Sequence, residues 1–236
     1  MKIMDLMLPA KDSIRPRPLF KLLHMNQVAV ILTCWGDTSH VDTMMKLIEQ
    51  NLQEDHQNQE SKEQFDPDVT KMNLKKMDQT PSKKRSLEEV FQKVLRDLNK
   101  YVALEVNKTK WITCIEITLI GKDRQNLFWT HVGQPQIFRS TQAGLEPLSY
   151  TADPSSDFNQ SSPLPVNCLG VELDLQIQSG YIPVDKVKNI VLFSCSKVPA
   201  ELYSSLTVDL ETLAQLIQQH DSNSPVWTGL IEVVTS

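Results

Sequence analysis

The stretch Leu127–Asp153, LFWTHVGQPQIFRSTQAGLEPLSYTAD, decides how this chain is read. Leu127–Val132 is a strand-length run rich in aromatic and β-branched residues, and Gly133-Gln134-Pro135 breaks it. Gln136–Ser140 resumes the strand pattern, Thr141–Gly144 turns again, and Leu145–Tyr150 follows. Upstream, WITCIEITLIG (Trp111–Gly121) and the turn KDRQ make an antiparallel partner for Leu127–Val132. Downstream come the strand runs CLGVELDLQI (Cys168–Ile177), NIVLFS (Asn189–Ser194) and VWTGLIEVV (Val226–Val234). Between the last two lie a short helix near Ala200–Ser205 and a longer one over Val208–Gln219, with Leu210, Leu213, Ala214 and Ile217 facing inward.

Toward the N-terminus the pattern changes. Val28–Thr33, VAVILT, is a continuous apolar run expected as a strand buried on both faces. After the turn at Gly36-Asp37, Ser39 and Asp42 open a helix whose Val41, Met44, Met45, Ile48 and Leu52 share one face. Ser86-Leu87-Glu88-Glu89 is a capping box, and Leu87, Val90, Phe91, Val94, Leu95, Leu98 and Val102 form the stripe behind it. Residues 1–26 are expected to be irregular. Residues 53–85, acidic first and basic later, are expected to be a mobile charged insertion or a charged docking surface. The resulting order is β-α-(insert)-α-β-β-β-β-β-α-α-β, an α+β arrangement in a single domain spanning 1–236.

Composition narrows the function classes. A net charge of −5 argues against general nucleic-acid binding, which leaves a basic patch. No apolar run is long enough for a membrane helix, and Asp5 and Pro9 interrupt the N-terminal stretch where a secretory signal would be continuous. The four cysteines are widely spaced without a Cys-x-x-Cys pair and read as reduced thiols in a cytoplasm. The seven glycines include no Gly-x-Gly, so a dinucleotide fingerprint and a phosphate-cradling loop are both excluded.

The order and spacing resemble the metal-dependent protein serine/threonine phosphatases (the PPM, or type 2C, family), especially the bacterial branch. The resemblance runs from Val28 to the C-terminus. Leu127–Asp153 reads like that family's strand–VGDSR–strand–LT.DH passage, and NCLGVELDLQI like its LG strand. NIVLFSCSKVPAEL is similar to the LLLASDGLTD run, VAVILTCWGDTSH to FAVADGMGGH, and VWTGLIEVV to DNxTVVVV. The resemblance implies an α/β/β/α four-layer sandwich of two antiparallel sheets flanked by helices, with metal ions held by aspartates at one edge.

The departures fall on those aspartates. The family's first metal-binding Asp aligns with Thr33 and its neighbouring Gly with Cys34; the Gly-Asp-Ser turn is Gly133-Gln134-Pro135. The second metal-binding Asp aligns with Cys195, followed by Ser196, and the last falls near Pro225 or Asp221. Mg²⁺ and Mn²⁺ require oxygen ligands, which these side chains do not supply as anions. The resemblance therefore implies a degenerate member: a pseudophosphatase, with no cofactor, that binds a protein partner. The expected rim is Thr33, Cys34, Trp35, Asp37, His40, Gln134, Cys195, Ser196 and Lys197. Cys195 lacks the arginine six positions on that a tyrosine-phosphatase loop needs; Glu201 stands there. Cys34 and Cys195, ending neighbouring strands, fill the old site, or with His40 hold a soft metal, or form a redox pair. The rival reading is an enzyme in which Asp37, Asp221 and Asp123 or Asp185 rebuild a metal site. A third is a structural subunit of a larger assembly.

Overall fold

In a computed structural model the chain is described over residues 1–8, 19–25, 27–63, 86–108, 113–133, 136–149, 167–170, 175–193, 199–205, 209–220 and 226–233. The elements are β1 (Lys2–Leu8), β2 (Leu19–Met25), β3 (Val28–Trp35), α1 (Val41–Glu63), α2 (Leu87–Tyr101), β4 (Cys114–Lys122), β5 (Asn126–Val132), β6 (Gln136–Thr141), β7 (Gly144–Pro147), β8 (Gln178–Pro183), β9 (Asn189–Phe193), α3 (Ala200–Tyr203), α4 (Leu210–His220) and β10 (Val226–Glu232). They build two five-stranded antiparallel sheets, ordered β1-β10-β9-β6-β7 and β2-β3-β4-β5-β8.

The period-2 alternation of the strands sorts the core into three layers. Ala29, Ile31, Ile120, Leu127 and Trp129 of one sheet meet Ile137, Ile190, Leu192, Trp227 and Ile231 of the other. The opposite faces carry helices. Val30, Leu32, Cys34, Ile117 and Leu119 pack with Met44 and Ile48 of α1 and with Phe91, Val94 and Leu98 of α2. Phe138, Val191, Phe193 and Leu230 pack with Leu202 of α3 and Leu213, Ala214 and Ile217 of α4. The fold is thus the four-layer α/β/β/α sandwich.

Helix α2 begins at the capping box, with Glu89 N–H donating to Ser86 Oγ at 3.2 Å and Ser86 N–H to Glu89 Oε2 at 3.0 Å. Full burial of a side chain such as Phe91 adds about 1.5–3 kcal/mol against the sheet. The helix then widens into a π-turn, Val102–Val106, which Asn107 closes by donating its N–H to Val102 O at 2.9 Å.

Three expectations need correction. Residues 1–26 are not irregular throughout, because β1 pairs along β10 and β2 along β3. Each supplies apolar residues at alternate positions, a signal that Pro9, Pro16 and Pro18 between them obscure in the sequence. The charged insertion starts later than expected, since residues 53–63 continue α1. Residues 64–85 lie outside the described part. Finally, among the described residues of the strand expected over Cys168–Ile177, Leu169 forms an isolated bridge with Ile115, and the next strand, β8, begins at Gln178.

Candidate functional site

The end of β3 brings one half of the expected rim together. Thr33 is 3% exposed and stands opposite Glu116 in the β3–β4 register; Cys34 stands opposite Ile115 and Trp35 opposite Cys114. Thr33 shares its face with Ala29 and Ile31 and so points between the sheets. Glu116 belongs to that same space and is 2% exposed. The half-buried Trp35 donates its indole Nε1–H to Glu116 Oε2 at 3.0 Å. A buried carboxylate must be hydrogen-bonded to be tolerated, and this indole is one of its partners.

Gly133, at the end of β5, makes room for that carboxylate. Its φ is +120°, and a Cβ there would lie 2.6 Å from Glu116 Cβ and 2.9 Å from Glu116 Oε1. Only glycine satisfies both the backbone conformation and the close approach.

After Trp35 the chain turns through Gly36 into α1. Asp37 Oδ1 accepts from Ser39 N–H at 2.9 Å, which holds the Asp37 carboxyl below the usual carboxylate range; the charge of nearby His40 adds in the same direction. Asp37 O also receives Cys34 Sγ–H at 3.5 Å and Thr113 Oγ1–H at 3.4 Å, so its backbone fastens the loop to the ends of β3 and β4. Burial, then Asp37 and Cys114, push the Cys34 thiol up to about 12, and it stays protonated. His40 stands at the entrance to α1, where its carbonyl accepts from Met44 N–H at 3.0 Å. Gln134, Cys195, Ser196 and Lys197 lie outside the described residues, and so does any contact between Cys34 and Cys195.

Two groups escaped the sequence reading. Cys114, Glu116 and Thr118 alternate with Ile115, Ile117 and Leu119 along β4, placing a row of polar side chains toward the other sheet. The alternation is visible in TCIEITLIG, where it marks a strand but not what its polar face meets. Thr118 faces His131 of β5 in register, and Thr118 Oγ1 and both ring nitrogens of His131 are buried without a hydrogen-bond partner. Burial lowers the His131 imidazole to about 4, so it is neutral at pH 7.

The second group is an asparagine clamp beside the rim. Asn107 Oδ1 accepts from Thr113 N–H at 2.8 Å, while its Nδ2 donates to Thr113 O at 3.3 Å and Gly170 O at 2.8 Å. Asn99 Oδ1 accepts from Gly170 N–H at 2.7 Å, and Leu169 N–H donates to Ile115 O at 2.8 Å. Residues 168–170 are thereby fixed against the start of β4, where Cys114 and Cys168 are both buried free thiols.

The geometry also tests carboxylate sets for a divalent metal. Asp123 caps the β4–β5 turn, its Oδ1 accepting from Gln125 and Asn126 N–H at 2.7 Å each. Asp185 follows β8, whose Pro183 pairs with Asn126. Both sit at the far end of β4 from Asp37, roughly 30 Å away at the rise of a strand. The rearranged set of Asp37 with Asp123 or Asp185 is therefore not assembled, and Asp221 lies outside the described residues. The described oxygen donors at the rim are the neutral hydroxyl of Thr33, the Glu116 carboxylate tied to Trp35 and the Asp37 carboxylate tied to Ser39 N–H. Among the described residues no group of three His, Cys, Asp or Glu side chains could hold a metal ion.

No protein-family model and no curated protein matches the sequence. The fold, in contrast, is shared with solved bacterial phosphatases. A bacterial serine phosphatase superposes with a TM-score of 0.66 at 11% identity, covering 100% of this chain and 99% of that one. The serine/threonine phosphatase PstP/Ppp of Mycobacterium tuberculosis gives 0.65 at 10% identity over 98% of each chain. PppA, described as a key regulatory component of the T6SS in Pseudomonas aeruginosa, gives 0.64 at 10% identity over 99% of this chain and 97% of its own. These likenesses establish the PPM-type sandwich and, at such identities, the fold alone.

Proposed function

We propose that this chain is a catalytically inactive phosphatase-like domain, a pseudophosphatase, that works as a protein-binding or regulatory module. One observation carries the reading. At the position matching the family's first metal-binding aspartate stands Thr33, buried and neutral, and the carboxylate in register with it, Glu116, is held by Trp35. The scaffold that positioned a metal centre keeps its rigidity, with strand ends, a glycine turn and a capped helix, while its described donors suit packing rather than phosphoryl transfer. Rigid strand ends with a half-buried indole and a polar loop are good material for holding a protein. The partly exposed Trp35, Asp37 and His40 form the described part of that surface.

The three described cysteines are free thiols, which supports placing the module in the cytoplasm. No helix among the described residues is long and apolar enough to cross a membrane.

The test is calorimetric titration with Mn²⁺ and Mg²⁺ alongside p-nitrophenyl phosphate hydrolysis. The reading expects no binding isotherm and no turnover. Stoichiometric binding accompanied by turnover would overturn it. A partner recovered with the wild-type chain should be lost from the His40→Ala variant, whose side chain is partly exposed, at unchanged melting temperature.

A further inference from the structure

We propose that β8 is a self-association edge, pairing antiparallel with β8 of a second copy of this chain about a two-fold axis at Gly180.

Four strands border the two sheets: β1 and β7 in one, β2 and β8 in the other. An open sheet edge is a template for another strand, and charged side chains or short length normally blunt it. β1 carries Lys2 and Asp5, β2 carries Lys21, and β7 is four residues long and carries Glu146. β8, QSGYIP, has six residues and no charge. It also bears Tyr181, 67% exposed and the most exposed large hydrophobic side chain among the described residues.

The ladder shows which backbone groups the edge offers. Val184 N–H donates to Gln125 O at 2.8 Å, so these two residues form a hydrogen-bonded pair at the foot of the β5–β8 ladder. Such pairs alternate with non-bonded ones, which makes Leu127–Ile182, Trp129–Gly180 and His131–Gln178 the bonded pairs that follow. Ser179 and Tyr181, between them, turn their N–H and C=O to the free edge. Among the described residues no group bonds them there. Pro183, next in the same series, has no N–H and closes the run.

That run is centred on Gly180 and matches itself. A two-fold axis at Gly180 sets Ser179 of one copy opposite Tyr181 of the other, and each such pair exchanges two N–H···O bonds. On the outer face the small Ser179 leaves room for the Tyr181 ring of the second copy. On the inner face Gly180 projects nothing at the axis; a Cβ there would lie 2.7 Å from the Trp129 ring. A second copy therefore brings the donors, the acceptors and the lack of charge that this edge requires. The contact is short, so the dimer is reversible and separates on dilution.

The experiment follows the full chain by sedimentation velocity from about 1 μM to about 1 mM, with amide exchange read by NMR at both ends of the range. The weight-average mass should climb from one chain toward two. The amides of Ser179 and Tyr181 should gain protection with concentration, while those of Gly180 and Ile182, already bonded to β5, should not change. Tyr181→Lys puts a charge at the exposed position, and Ser179→Pro removes an N–H that β5 does not use; each should weaken association by roughly tenfold or more, with the dilute chain melting as before. A monomer at every concentration would leave the edge to some other chain and overturn the proposal. So would a dimer that both variants leave intact, or one that protects neither Ser179 nor Tyr181. The wild-type exchange pattern stands even if a variant fails to fold, and it is read without reference to metal or partner binding at the rim.

Discussion

At the scale of single residues, His131 shows how polar groups persist in this interior. It is 1% exposed on β5, opposite the equally unpartnered Thr118 Oγ1, with Trp129 beside it and Glu116 two positions farther along β4. Burying polar atoms without partners costs about 1–3 kcal/mol, so His131→Phe, which keeps the ring volume, should be neutral or stabilising at pH 7. The pH dependence follows from the lowered pKa. The folded value of about 4 lies below the ordinary 6.5, so the unfolded chain takes up the proton first as pH falls. The neutral imidazole's contribution is complete above pH 6.5 and is lost progressively between about 6.5 and 4, amounting to about 3 kcal/mol at most. Urea unfolding of wild type and His131→Phe across that window reads it directly. The wild type should lose ground to the variant as pH drops, and parallel curves would refute the assignment. A histidine in LFWTHV carries no mark in the sequence that separates a buried neutral ring from a ligand; only the register with Thr118 does.

At the scale of elements, what could be read in advance was what repeats locally. The α2 capping box, the stripe behind it and the β3 apolar run each declare themselves within a single element, and all three stand in the structure. The clamp around Asn107 could not declare itself, because it joins the π-turn after α2, the start of β4 and a segment some sixty residues farther along. The same holds for β8. QSGYIP lacks a strong apolar run, and it becomes a strand because β5 offers an edge and Ser179 meets Glu88 of α2 at 3.4 Å. Removing the clamp should therefore act on a junction rather than on a helix. Asn107→Ala leaves Thr113 N–H, Thr113 O and Gly170 O without that partner, and should cost about 2–4 kcal/mol. Hydrogen exchange should accelerate at Thr113 and in 168–170 while the α2 amides keep their protection. Uniform acceleration across α2 and β4 would show instead that Asn107 acts on global stability alone.

At the scale of the whole molecule, the family resemblance supplied the layering that composition and periodicity could not, and it covered the chain only from Val28 onward. What precedes Val28 turned out to edge both sheets. The reason it looked irregular is physical. An edge strand stays partly exposed and tolerates charged positions, so KIMDLML, with Lys2 and Asp5 among Ile3, Met4, Leu6 and Leu8, shows no continuous apolar run. β1 runs antiparallel to β10 from Lys2–Glu232 to Leu8–Val226. Met4, Leu6 and Leu8 pack on the α4 side, Ile3 packs between the sheets, and Asp5 Oδ2 accepts from Trp227 Nε1–H at 3.1 Å. A frayed end would tolerate removal; this strand should not. Deleting residues 1–8 uncovers the hydrogen-bonding edge of β10 together with apolar surface of α4 and Trp227. At about 1 kcal/mol for each partly buried apolar side chain, plus the lost ladder, the deletion removes several kcal/mol from a fold whose total stability is about 5–15 kcal/mol. The truncated chain should melt well below the full chain and elute as larger species on gel filtration, because an uncovered edge recruits other edges. A monomer melting within a few degrees of the full-length protein would mean that β10 closes its sheet without β1, and that residues 1–8 only cover a core which the strands from β3 onward already complete.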